Sequence, residues 1–232
     1  VFANCKGLTS VIIPENLIDV GIGTFAGCSG LKLVEFPSGM KTVGDRVFAN
    51  CEDLTSVTIP EGVIDIGRRA FEGCSGLTSV KIPPSVKTVG EGAFKDCIGL
   101  ESVTIPEGVV AIGNGAFEGC SRLTSVKIPS SVENVGEGAF KDCYELRSVS
   151  VMVSGAFHNK SIADIFSGEH QRITDIIIAD GVKEIWREAF SGCSGLTSVS
   201  IPTSVLDIKD LAFAGCSRLT SVNIPSSVKK VG

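Results

Sequence analysis

Aromatic variety is what this chain lacks. Among 232 residues there are one Trp and one Tyr against twelve Phe, so aromatics total only 6% although hydrophobic residues make up 43%. A chain that puts its aromatic content into one residue type is using the same packing solution many times. Surplus positive charge is also missing: 21 Lys and Arg face 26 Asp and Glu, a net charge of −5. Such a balance offers no basic field to hold a phosphate backbone, which excludes a nucleic-acid partner. No apolar run approaches the roughly 18–20 residues that span a bilayer, and the start shows neither an initiator Met nor a signal-peptide pattern. Catalytic signatures are absent too: there is no G-x-S-x-G, no P-loop, no H-E-x-x-H and no G-x-G-x-x-G following a strand. The Ser, Asp and Cys that do occur are copied many times, whereas a catalytic group should be singular, so no catalytic residue and no cofactor is assigned.

What is present is a lattice. Cysteines stand at 5, 28, 51, 74, 97, 120, 143, 193 and 216, with gaps of 23 six times, then 50, then 23. A Phe lies three residues before each, from Phe2 to Phe213, and a Leu three residues after each, from Leu8 to Leu219. A fixed period of about 20–29 residues with this regularity is the mark of a solenoid. The wide gap is 2 × 23 + 4 residues, so it should hold one degenerate repeat, over 144–172, with a four-residue insertion. Ile173, Ile176 and Ile178 take the Leu, Val and Ile places there, which makes about ten repeats in a single domain over 1–232.

The repeat reads most cleanly as Leu77-Thr-Ser-Val80-Lys-Ile82-Pro-Pro-Ser-Val86-Lys-Thr-Val89-Gly-Glu-Gly-Ala93-Phe94-Lys-Asp-Cys97. Val80 and Ile82 are two apart and share one face of a short strand, while Ser79 and Lys81 point to the other. Pro83 ends the strand because it has no amide for the ladder. Val86 and Val89 turn inward from the far side, Gly90 lets the chain bend, and Ala93-Phe94 re-enters the core on a single helical or 3₁₀ turn. One coil offers about seven apolar side chains at roughly 1.5–3 kcal/mol each, against about 1–2 kcal/mol per residue of backbone ordering. A lone coil should not fold. Stacked coils about 4.8 Å apart cover one another, and ten span roughly 40–50 Å.

The stretch Leu-Thr-Ser-Val-x-Ile-Pro-x-Ser-Val-x-x-Ile/Val-Gly-x-x-Ala-Phe-x-x-Cys resembles the BspA-type leucine-rich repeat over nearly the whole chain. The resemblance implies a leucine-rich repeat solenoid: a right-handed β-rich arc with one short parallel strand per repeat and short turns or one-turn helices on the convex side. It further implies an extracellular or cell-surface setting and a host or microbial surface protein, or extracellular matrix, as partner. The pattern departs from broader leucine-rich families after the strand, where Asn16 is followed in register by Gly and Ser, so a continuous asparagine ladder is absent.

A second period is superposed on the first. Residues 51–96 and 97–142 align without a gap, and 35 of 46 positions are identical, so a pair of repeats was duplicated. In this region the residue after Phe alternates in sign, Glu72, Lys95, Glu118, Lys141, which places opposite charges one ladder step apart on an exposed edge. The cysteines read as buried thiols. Their number is odd, no C-x₂-C is available for zinc, and Cβ vectors at adjacent lattice positions should run parallel, which disfavours bridges. No metal site is assigned.

Two regions remain for function. The outward strand columns are mostly small hydroxyls, with Lys81, Lys127 and nearby Arg147 forming a basic strip opposed by Glu101. That face has no aromatic platform for sugar rings. The degenerate repeat collects the rare residues: Tyr144, Met152, Phe157, His158, Asn159, Lys160, Phe166, Glu169 and His170, with Trp186 in the next coil. It reads either as an irregular coil repacking its core or as a recognition loop, with Tyr144, His158, Asn159, Lys160 and His170 the candidates. The expectation is a non-enzymatic adhesion or recognition module on a cell surface. A structural spacer displaying a neighbouring domain and a carbohydrate-binding module are the alternatives. Val1-Phe2 and Val231-Gly232 fall mid-repeat without polar caps. A longer array, and end-to-end self-association through exposed ladders, are therefore expected.

Overall fold

A computed structural model describes residues 1–151 and 161–232. The chain winds as a parallel β-solenoid whose coils are held by three backbone ladders. The inner ladder is formed by Ser10–Ile12, Leu33–Glu35, Ser56–Thr58, Ser79–Lys81, Ser102–Thr104, Ser125–Ile128, Ser148–Val151, Asp175–Ile178 and Ser198–Ser200. Asn223 adds a single parallel bridge to Ser200. Pairing is in register at one repeat, for example Ser79↔Ser102 and Val80↔Val103. At the wide cysteine gap Ser148 pairs with Asp175, 27 residues on, and the 23-residue step returns with Asp175↔Ser198. In each of these strands the central Val or Ile faces the core and its neighbours face out, as an alternating pattern dictates.

A second ladder runs along the far side as two-residue strands: Thr42–Val43, Asp65–Ile66, Thr88–Val89, Ala111–Ile112 and Asn134–Val135, then Glu184–Ile185, Asp207–Ile208 and Lys230–Val231. The sequence places Val89 inward but gives no sign of this ladder, because two residues are too few to show a period.

The third ladder lies in the turn that carries Phe and Cys, which is built from hydrogen-bonded turns rather than 3₁₀ or α-helix. Amides alternate there. Gly92, Phe94 and Asp96 donate to the carbonyls of Asn114, Ala116 and Glu118 in the next coil at 2.9, 2.8 and 2.7 Å. Ala93, Lys95 and Cys97 donate within their own coil to Gly90, Gly92 and Phe94. Left-handed φ values at Gly92 (59°) and Asp96 (56°) turn the chain so that every second amide points along the stack.

The core is a column. From Phe2 to Phe140, consecutive lattice rings lie 5.2–5.6 Å apart with planes within 3–11°. Phe166 continues the column against Phe140 at 5.3 Å. None of the nine cysteines forms a disulfide; eight are buried and Cys5 is exposed. In most coils the thiol donates to the Phe carbonyl of the preceding coil, as Cys97 Sγ to Phe71 O at 3.2 Å. That carbonyl also accepts the amide of its own coil's Cys, here Cys74 N at 3.2 Å. Both oxygen lone pairs are thereby used, which explains why a small residue with a weak donor fits the position.

The irregular coil enters this frame through one short helix, α1 (Ile162–Phe166), and a 3₁₀ turn over Glu169–Arg172. Ser161 and Asp164 form a capping box at the start of α1. Ile162, Ile165 and Phe166 are buried, and the carbonyls of Asp164 and Ile165 accept Gly138 N and Phe140 N at 2.8 and 3.1 Å. The helix thus stands in for a turn of the third ladder.

Candidate recognition edge

The residues singled out on the inner face form separate features. Lys81 is exposed on its strand and its ammonium lies 3.7 Å from Glu61. Lys127 is exposed two coils further along the same column, with Thr104 between, about 10 Å away. Glu101 is paired with Arg122 at 2.7 Å, so it does not oppose the lysines. Arg147 folds back on its own coil, donating from Nη1 to Tyr144 O at 2.8 Å and Leu146 O at 3.0 Å. The alternating charges on the opposite edge meet at Glu118, which lies 3.2 Å from Lys95 and 3.5 Å from Lys141. Glu72 pairs within its own coil, with Arg69 at 3.8 Å.

Arg147 leads to the one place where the candidates gather. Tyr144 directly follows Cys143, at the rim where the turn climbs toward the inner strand, in the place held by Ser75 and Ser121 in other coils. The turn is closed by Leu146 N to Cys143 O at 3.0 Å, and Tyr144 is left 47% exposed. Its hydroxyl donates to Asp142 Oδ1 at 3.1 Å. Arg172, from the 3₁₀ turn of the irregular coil, sets its guanidinium carbon 6.0 Å from the Tyr144 ring centroid, within cation–π range. The two coils are joined here by Thr174 N to Arg147 O at 2.9 Å. An exposed tyrosine is therefore flanked by two guanidinium groups, one tied to its carbonyl and one over its ring. Sequence reasoning found Tyr144 and Arg147 but missed Arg172 and Asp142. The available signal was the 27-residue step, which sets Arg172 beside the coil of Tyr144.

His170 is placed differently from a ligand. An added Cβ on Gly192 would sit 2.9 Å from His170 Nε2. In the regular coils the corresponding contacts are made by Asn4 on Gly27, Asn50 on Gly73 and Asp96 on Gly119, each with a side-chain oxygen 2.3 Å from where a Cβ would be. His170 thus fills the space beside a stacking glycine. His158, Asn159 and Lys160 lie outside the described residues, as do Met152 and Phe157. Among the described residues no group of three or more His, Cys, Asp or Glu is arranged to hold a metal, and no helix is long and apolar enough to cross a membrane.

The concavities lined by described residues include a polar cleft of about 160 Å³ on the turn edge, lined by Arg69, Glu91, Lys95, Asn114, Glu118 and Glu137, in which Lys95 pairs with Glu118 while Arg69 pairs with nearby Glu72. Two apolar grooves, of about 370 and 330 Å³, lie at the first and last coils. None combines the enclosure and convergent polar groups of a small-molecule site.

These features define a repeat protein that presents surface rather than a pocket. The comparisons give the class a family: the model of the BspA-type leucine-rich repeat region matches residues 1–75, 41–163 and 160–232. The chain belongs to that family. Among solved structures it is similar to a leucine-rich repeat protein of Treponema pallidum (26% identity, 96% of this chain and 80% of that one, TM-score 0.54). Leucine-rich repeat proteins of Bacteroides ovatus (24%, 100% and 76%, TM-score 0.51) and Eubacterium ventriosum (22%, 98% and 75%, TM-score 0.51) share the fold. No curated protein matches the chain.

Proposed function

We propose that this chain is a non-enzymatic recognition segment of a cell-surface repeat protein, which binds a protein partner along the rim centred on Tyr144. Membership of the BspA-type family supports a surface setting. The observation that carries the reading is the exposed Tyr144 held between Arg147 and Arg172. Tyrosine and arginine dominate the energetic centres of protein interfaces, because each buries much area at a modest entropy cost. A rigid repeat frame supplies the preorganisation such a centre needs. The hydroxyl-lined inner strands then act as a polar surround.

The test is binding of the full chain to immobilised extracellular-matrix proteins and bacterial surface extracts, compared between wild type, a Tyr144→Ala/Arg172→Ala double variant and a Lys81→Ala/Lys127→Ala double variant. The rim variant is expected to lose at least about tenfold in affinity, equivalent to about 1.4 kcal/mol, while the lysine variant retains binding. Undiminished binding by the rim variant would sink the assignment.

A further inference from the structure

Resting on the recognition reading of the same rim, we infer that the Tyr144–Arg147–Arg172 cluster takes a carboxylate-bearing peptide segment, one with spaced acidic side chains. The first ground is the state of the guanidinium groups. Arg68, Arg69, Arg122 and Arg187 each have a carboxylate within ion-pair distance. Arg147 and Arg172, like Arg46 and Arg218, have none among the described residues, and they are the two that meet at Tyr144. Arg147 uses one terminal nitrogen on two backbone carbonyls, which fixes its plane and leaves the rest of the fork for a ligand. Arg172 is positioned by its contact with the ring. A guanidinium held in place and lacking an acidic partner is set up for charge-assisted, two-pronged bonding to a planar carboxylate.

The second ground is the spacing of negative charge. Asp142 accepts from the Tyr144 hydroxyl, exposed Glu145 stands next to the tyrosine, and Asp175 accepts from Thr174 Oγ1 at 2.6 Å. These carboxylates would repel a dense polyanion such as a sulfated glycan or a nucleic acid, which must set charge along its whole length. A peptide with isolated Asp or Glu side chains meets the two arginines and leaves neutral residues opposite Glu145 and Asp175.

The experiment uses the whole chain and immobilised peptides of roughly twelve residues that carry two glutamates at varied spacing, each with a glutamine twin, together with a heparin oligosaccharide. At least one glutamate peptide should bind about tenfold or more tightly than its twin, an excess of about 1.4 kcal/mol, and should weaken as salt rises. Arg147→Gln and Arg172→Gln should each remove that preference, and Arg172→Lys should restore it only in part, since an ammonium keeps the charge but loses the fork. Arg122→Gln, which affects an arginine already paired, should leave the preference intact. Thermal unfolding of each variant separates lost binding from lost fold. Equal binding of glutamate and glutamine twins, no binding by any peptide, or tighter binding of the oligosaccharide through the same arginines would each overturn the inference. The recognition reading fails separately: it stands if captured matrix or surface proteins are still lost in the Tyr144→Ala/Arg172→Ala variant while the peptides show no acid preference.

Discussion

Each coil carries a residue with left-handed backbone just before its cysteine, and at that position side chains alternate in a way that only stacking explains. Asn4, Asn50 and Asp96 alternate with Gly27, Gly73 and Gly119, all at φ between 56° and 75°. The side-chain oxygen of one coil occupies the space a Cβ would need in the next. The 46-residue duplication thus has a physical unit: a coil that supplies a filler and a coil that receives it. Gly119→Ala should cost about 2–5 kcal/mol, from roughly 1–2 for a left-handed alanine and 1–3 for crowding Asp96. Adding Asp96→Gly should recover the crowding part, which a double-mutant cycle by urea denaturation would resolve. Leu211, half exposed and at φ 58°, carries the backbone cost without an evident return. Leu211→Gly should stabilise by about 1 kcal/mol.

The thiols give a second prediction at the same scale. Burial, with the neighbouring thiol adding to it, pushes Cys51 and Cys193 up to about 12 and drives Cys74, Cys97 and Cys120 well above the ordinary thiol value. An unfolded thiol ionises near 9, so below that pH both states hold the proton and stability is unaffected. Above it the unfolded chain sheds protons that the folded chain keeps, and stability falls as pH rises from about 9 toward 12. Urea midpoints at pH 7, 9 and 10.5 should therefore fall modestly by pH 9 and much more steeply by pH 10.5. Alkylation of the native protein near pH 8, read by mass spectrometry, should label Cys5 alone.

At the scale of the element, the phenylalanine column behaves as one structure shared by all coils. Phe94 stacks at 5.3 Å on both Phe71 and Phe117 and is fully buried. Phe94→Ala should cost about 3–5 kcal/mol, and Phe166→Ala a similar amount, because Phe166 extends the column through the irregular coil. A Phe166→Ala effect below about 1 kcal/mol in chemical denaturation would show that the column ends at Phe140. Much of this was legible in the sequence. The Phe and Cys places, the strand register and the inward Val and Ile follow from a 23-residue period with a two-residue alternation inside it. The second ladder was not legible, since strands of two residues carry no pattern. Nor was the pairing of Tyr144 with Arg172. The 27-residue step sets Arg172 beside the coil of Tyr144, but the direction its side chain takes at the rim carries no sequence period.

For the whole molecule, what matters is that a solenoid is held coil to coil, so its weakest seam sets how it opens. Within 54–143 each coil is joined to the next by the second and turn ladders, and by the inner ladder except between Ser102–Thr104 and Ser125–Ile128, where Thr124 N donates to Glu101 O at 3.4 Å. At the irregular coil, toward the following one, the turn-ladder contact among the described residues is Ile162 N to Ala189 O at 3.1 Å, whereas regular coils make three such bonds. Bend glycines also give way there: Trp186 and Lys209 occupy the column of Gly113 and Gly136, where an added Cβ would come within 2.5 and 2.2 Å of the preceding coil's backbone. The inner ladder passes through the irregular coil at Asp175–Ile178. At about 0.5–1.5 kcal/mol per net hydrogen bond, two fewer turn bonds should make this seam weaker than a regular junction by about 1–3 kcal/mol. Native-state hydrogen exchange can isolate this from ordinary end fraying by comparing residues 6–28 with residues 194–216, the first and last coils that run from one lattice cysteine to the next. Fraying alone would protect 194–216 at least as well, since 16 residues lie beyond it and five lie before 6–28. A weak seam requires the 194–216 coil to exchange through a lower-energy opening shared with residues 182–193. That opening should be absent from 54–143, and Phe166→Ala should lower it further while leaving residues 6–28 unchanged.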